Sequence, residues 1–513
     1  MTRSRVLLSL LAALLALGVA TSGAGASPST DPSAPGTSKN FELVGHSPLM
    51  MRGMNAAPAF YDHYVYVGSR TDGAHPFAGV MIVDVADPSS PEVVGQILPP
   101  DEGMVAQTSR ELRVWPQQKL LMVMNFQCSA ILHACASPAD LAGSLIHDIS
   151  FYDLTDPAAP RKVSSYVPTR IPHEMFLWID PRRPGRALLY ISTPTSSTTA
   201  PNLIVTDISR ARDGEFDEVL TWNANEQYPT ETLNARDVRL HSIGVTDDGT
   251  RTYLAYLGGG VLVLDTSQLA RGAAEPKVKL VTRPRRSPVW DNMTVHSAVP
   301  IPGRRAILTT DEIYGDLIDP LTRPANESGC PWGTVHLVDI AKPAKPRLAG
   351  EYRLPQNDAT SCEGSGFPER KRPSFSCAWE GFDAKQDGAR AGPQDTFFTS
   401  YAAHNPTVLR NLAFVTWHSG GFQAISLPAR GAPTQAGWFS PEPLPFVITE
   451  DPALSQGSNK VVMWSYPIIA DGLIYLIDVR NGLYVLRYTG PNASQVARTR
   501  FIEGNSNVRI ARA

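Results

Sequence analysis

Short runs in which apolar and polar positions alternate recur along most of the chain, from MIVDV at 81–85 to LYVLRY at 483–488. A period of two is the mark of β-strands lying on a core. Three segments repeat one design: GVMIVDVADPSSPEVVGQI at 79–97, ISFYDLTDPAAPRKVSSY at 149–166 and VHLVDIAKPAKPRLAGEY at 335–352. Each is a strand ending in Asp, a tight turn holding two prolines, and a second strand. Proline fixes φ and cannot donate to a ladder, so those prolines belong to the connection. Weaker copies lie at 202–222, 261–281, 422–439 and 483–490. A hairpin precedes each copy, as in AFYDHYVYVGS at 59–69 and IGVTDDGTRTYLAYL at 243–257.

Hairpin plus turn-linked pair makes four strands, and there are seven such units, which predicts an all-β fold: a seven-bladed β-propeller of four-stranded antiparallel blades. The seventh unit stops after its third strand, at Tyr488, while FELVGHS at 41–47 looks like the fourth strands PEVVGQI and PRLAGEY. Pairing of that N-terminal strand with the last blade would close the ring and remove an open sheet edge. The predicted organisation is a signal peptide over 1–26, a flexible Ser/Pro-rich tether over 27–39, one propeller over 40–490 with long loops on one face, and a C-terminal tail over 491–513.

The MIVDVADPSSP and VHLVDIAKPAKP segments resemble the LVIVD repeat family of secreted or periplasmic β-propellers. That family is defined by its repeat, so the resemblance implies a fold and no particular chemistry.

Compartment follows from the first segment. Arg3 and Arg5, an apolar run from Val6 to Ala20 and the small residues Ala24-Gly25-Ala26 match a signal peptide cleaved near Ala26, with export to the periplasm or extracellular space. No later stretch is apolar enough to span a bilayer. All five cysteines follow the cleavage point, which suits disulfides; Cys128 and Cys135 could close a small loop, while the pairing among Cys330, Cys362 and Cys377 stays open. Lys+Arg 46 against Asp+Glu 49 leaves a net charge of −3, which argues against nucleic acid as a partner. The expected partner is a small-molecule or envelope ligand at the loop-rich face, met by a monomer.

Candidate chemistry comes from the repeat register. His173, His241, His296 and His404 all occupy the entry to an innermost strand, in four consecutive units. Innermost strands line the channel of a propeller, so these imidazoles should converge near its mouth. Second strands end on the same rim, bringing Glu312, His418, Arg70 and Arg480 close. The four histidines are candidate metal ligands for copper, zinc, iron or manganese. Glu312, His418 and Glu174 are candidate catalytic groups. Arg70, Arg110, Asn55, Arg480 and Trp417 are candidates for substrate binding, the arginines for an anion. H-E-M at 173–175 is similar to a short sequence of the selenium-binding protein/methanethiol oxidase family, also propellers with channel histidines, but its thiol chemistry has no counterpart here.

Nucleophile-elbow, phosphate-loop and H-E-x-x-H patterns are absent from the sequence. Two readings stay open: a metal-dependent enzyme, whose reaction class the sequence does not select, and a non-catalytic ligand- or protein-binding propeller.

Overall fold

The computed structural model describes residues 31–98, 106–128, 133–135, 147–194, 199–227, 239–257, 259–283, 286–288, 290, 294–312, 333–357, 401–452, 454–455 and 459–511. The signal-like segment at 1–26 and Cys330, Cys362 and Cys377 lie outside them. Among the described residues no helix is long and apolar enough to cross a membrane.

The fold is a β-propeller of antiparallel blades, but the prediction of seven separate four-stranded blades is incorrect. Among the described residues five sheets stand as separate blades, three of them four-stranded and the two that take up terminal segments five- and six-stranded. The strands of the first two sequence units instead share one eight-stranded sheet. The physical cause lies at Gly68. Ser69, at the end of strand Tyr64–Ser69, pairs with Ser109 of strand Gln107–Trp115. A Cβ on residue 68 would stand 2.3 Å from the Ser109 carbonyl oxygen, so only glycine lets the two backbones approach closely enough to bond. This lateral contact leaves no trace in a period-two pattern.

Blades bury their faces against each other. Met122, Phe151 and Leu189, for example, pack from neighbouring units into one apolar cluster, as do Trp178, Tyr190, Leu254 and Leu264. The repeated aspartates before the turns cap backbone N–H groups: Asp84 accepts from Ala86, Asp153 from Thr155 and Asp339 from Ala341, at 2.8–3.0 Å.

Both chain ends are built into the ring. Phe41–Ser47 pairs antiparallel with Gly482–Tyr488, the closure foreseen from FELVGHS. Just upstream, Thr37–Lys39 pairs with Thr434–Ser440, so part of the segment expected to be a flexible tether is a strand. The turn between them is Asn40, at φ 60°, whose Nδ2 donates to the Ala436 carbonyl at 2.6 Å. The C-terminal residues do more than trail. Thr499–Ile502 pairs with the inner strand Ile468–Ala470, and Asn505 to Asn507 then bond to the inner strand Glu174–Ile179 of a distant blade. The tail thereby joins the inner strands of two blades. Gly504 makes room for it, since a Cβ there would meet the Tyr466 ring at 2.1 Å.

Candidate metal centre

His241 and His296 lie within inner strands Arg239–Val245 and Val295–Pro300, while His173 and His404 stand just before inner strands Glu174–Ile179 and Pro406–Val408. The structure brings all four together. Ring centroids follow one another at 4.4 Å from His173 to His241, 3.9 Å to His296 and 3.9 Å to His404, with His418 a further 5.0 Å away. Two carboxylates enter this arc. Glu312, which follows second strand Ala306–Asp311, places Oε1 2.8 Å from His404 Nε2 and Oε2 3.6 and 3.7 Å from Nε2 of His241 and His296. Glu174 Oε1 lies 3.7 Å from His296 Nε2 and 3.8 Å from His241 Nδ1.

Within this arc, among the described residues, two three-residue sets have donor atoms close enough to share an ion: Glu174, His241 and His296; and His296, Glu312 and His404. His296 belongs to both. His173 belongs to neither; its Nε2 instead meets His241 Nε2 at 2.8 Å. His418 lies at the other end of the arc, its Nε2 3.8 Å from Glu312 Oε1.

Hydrogen bonds on the outer nitrogens fix the imidazoles. The Trp464 carbonyl can only accept, so Nδ1 of His404, in contact with it, carries the proton and Nε2 presents a lone pair. His296 Nδ1 donates to Ser297 Oγ at 2.7 Å, and that hydroxyl donates onward to Asn405 Oδ1 at 3.2 Å. His296 Nε2, fully buried, then points at the carboxylates with no hydrogen-bond partner among the described residues. His241 Nδ1 is held by Ser242 Oγ at 3.1 Å. This is the arrangement in which a second polar shell orients metal-binding histidines.

Burial sets the charge states. Desolvation, opposed by the Glu312 carboxylate and assisted by His404 and Arg110, lowers His241 to about 4. Burial also pushes His173, His296, His404 and His418 well below the usual imidazole range. Glu174 is pushed the other way, well above the usual carboxylate range, first by desolvation and then by the Glu111 carboxylate. The site thus offers neutral imidazoles, the form that ligates a cation.

A cavity partly open to solvent reaches this arc. Arg70, Arg110, Trp464 and Ser465 line it together with His173, His241, His404 and both glutamates. Among the other candidates, Arg480 is held away by a two-pronged contact with Glu450, both bonds 2.8 Å. Asn55 accepts from Arg52 at 2.8 Å and donates to the Val479 carbonyl. Trp417 is fully buried in a blade core, its Nε1 donating to Tyr401 O at 2.6 Å. The cavity tryptophan is Trp464, which the sequence reading did not single out. Its only signal was its place beside Ser465, at a strand entry equivalent to the histidines.

Comparison with known proteins agrees with the repeat. Residues 59–98 match the LVIVD repeat family. The chain carries an LVIVD repeat. No curated protein matches it. Solved structures similar to it include the periplasmic gluconolactonase PpgL of Pseudomonas aeruginosa, at 14% identity and TM-score 0.45, covering 86% of this chain and 99% of that one. Another is the β-propeller domain of Cps50 (Swd1) from Myceliophteria thermophila, at 9% identity and TM-score 0.43, covering 88% and 99%. These matches give no support to the looser resemblance to selenium-binding propellers.

Proposed function

We propose that the LVIVD-repeat propeller is an exported, metal-dependent enzyme whose ion is held at the channel mouth by His241, His296 and His404 with Glu312 and Glu174. One contact carries the reading. Nε2 of His404 is a lone pair, and it faces a carboxylate oxygen of Glu312 at 2.8 Å. Two acceptors so close in a buried site repel unless a cation lies between them. A proton could serve one such pair, but three imidazoles and two carboxylates converging on the same few ångströms suit a first-row divalent ion better.

Such an ion supplies Lewis acidity toward an oxygen of the substrate. The chain supplies the rest. Glu174, whose Oε1 lies 3.7 Å from His296 Nε2 and which burial pushes above the usual carboxylate range, gives up its proton when it ligates the ion. His173 stands at the edge of the arc, its Nε2 2.8 Å from that of His241. The Cys128–Cys135 disulfide supports a location outside the reducing cytoplasm.

Metal content of the purified chain tests this. Stoichiometric copper, zinc, iron or manganese in the wild type, lost in His296→Ala and in Glu312→Gln, is the expected result. A protein that stays metal-free when dialysed against each ion would leave a non-catalytic ligand-binding propeller as the reading.

A further inference from the structure

Two arginines share the cavity with the histidine arc, and neither belongs to it. Arg70 follows the second strand of the first unit, and its guanidinium lies flat on Trp464 at 3.6 Å. Arg110, on the inner strand of the second unit, lies over Phe126 at 4.0 Å. Both are nearly buried, at 4% and 9% exposure, yet both line the opening. Stacking on an aromatic face holds each guanidinium in place at the cavity wall. Their charges are felt at the centre, where both arginines disfavour protonation of His173 and His404.

A third residue fixes Arg110. Its Nη1 donates to Nε2 of His133, a fully buried imidazole. His133 sits inside the loop closed by the Cys128–Cys135 disulfide, whose Cα atoms are 6.0 Å apart. Burial and the neighbouring Arg110 charge keep His133 neutral, and so able to accept. The disulfide loop thus holds an acceptor against one of two cationic groups beside the proposed metal centre.

We infer that Arg70 and Arg110 form the carboxylate subsite of this enzyme, and that His133 on the disulfide-closed loop is a positioning residue for Arg110. The inference rests on the proposed metal site for the second anchor of the substrate. A small hydroxycarboxylate fits the pair of anchors, its carboxylate on the guanidiniums and its hydroxyl toward the histidines. A phosphate dianion fits less well, because Glu111 and Glu312 line the same cavity and add repulsion with each unit of ligand charge.

Calorimetric titration of the full chain with glycolate, its neutral counterpart glycolamide and inorganic phosphate tests this, on metal-free and zinc-loaded protein. Glycolate should bind both forms, tighter with zinc, and glycolamide about tenfold more weakly or less. Arg70→Ala and Arg110→Ala should each weaken glycolate about tenfold, on the order of one charge-assisted bond. Arg110→Lys, less prone to misfold, should lose a smaller factor in the same direction. His133→Ala and reduction of the disulfide should each lose roughly threefold, with His133→Gln, which restores an acceptor, recovering most of it. Unchanged glycolate affinity in the arginine variants, or equal binding of glycolamide, would overturn the subsite; tighter binding of phosphate than of glycolate would overturn the carboxylate assignment. A chain that takes up no zinc yet binds glycolate through both arginines would sink the metal reading and leave the subsite standing.

Discussion

The hydroxyl of Ser297 lies 2.7 Å from Nδ1 of His296, and together they decide which nitrogen of that ring faces the centre. Ser242 does the same for His241 from the neighbouring inner strand, at 3.1 Å. Each serine directly follows its histidine in the sequence, so LHS and VHS are ligand and orienting group in one dipeptide.

Removing the hydroxyl should therefore weaken the centre without unfolding it. Ser297→Ala is expected to lower metal affinity about tenfold or more, in the range usual for orienting partners. Competition with a chromophoric chelator measures it. Unchanged affinity would show that the ring is held by packing alone.

Metal uptake should release a proton from a carboxyl group and not from imidazole. The histidines of the arc are depressed by burial, His241 to about 4, so near pH 6 they are already neutral. Glu174 is raised and must lose its proton to ligate. Calorimetry in buffers of different ionisation enthalpy reads the proton count. The release should disappear in Glu174→Gln and persist in His173→Ala.

Asp478 gives a stability test away from the centre. Burial raises it to about 6, although it accepts from the backbone N–H groups of Arg480, Asn481 and Val462. Between its unfolded value near 3.8 and about 6 the native chain binds more protons than the unfolded one, so its contribution to stability falls as pH rises through that window. The stability of wild type minus that of Asp478→Asn should be about 2 kcal/mol lower at pH 7 than at pH 4, by urea unfolding of metal-free protein. A pH-independent difference would refute the raised value.

Ring closure depends on Phe41. Its ring packs against Phe414, Phe422 and Tyr488 at 5.1–6.0 Å, joining the N-terminal strand to two sheets. Phe41→Ala should cost about 3–5 kcal/mol in urea unfolding. A cost within about 0.5 kcal/mol, the range of surface substitutions, would mean that the closure is marginal.

Much of this was legible in the residues. The repeat fixes which positions begin inner strands, and that register alone puts His173, His241, His296 and His404 on one rim. Pairing of 41–47 with the last strand was visible because the missing strand and the spare one look alike. Contacts that cross the ring leave no local signal. The Ser69–Ser109 pairing that merges two units, and the tail bonding to Leu177, join positions with no shared period. Trp417 and Trp464 show the limit at one residue: each neighbours a rim position, yet Trp417 turns into a blade core and Trp464 into the cavity. Arg110 was readable as cavity-lining, but its partner His133 was not, because a disulfide and not a strand brings it there.

Anomalous diffraction from crystals of the metal-loaded protein, collected on either side of the metal's absorption edge, locates the ion. One strong peak is expected, bonded to imidazole nitrogens among His241, His296 and His404 and to a carboxylate oxygen of Glu312 or Glu174. Crystals that show the ion elsewhere, with the arc empty, would contradict the proposed centre.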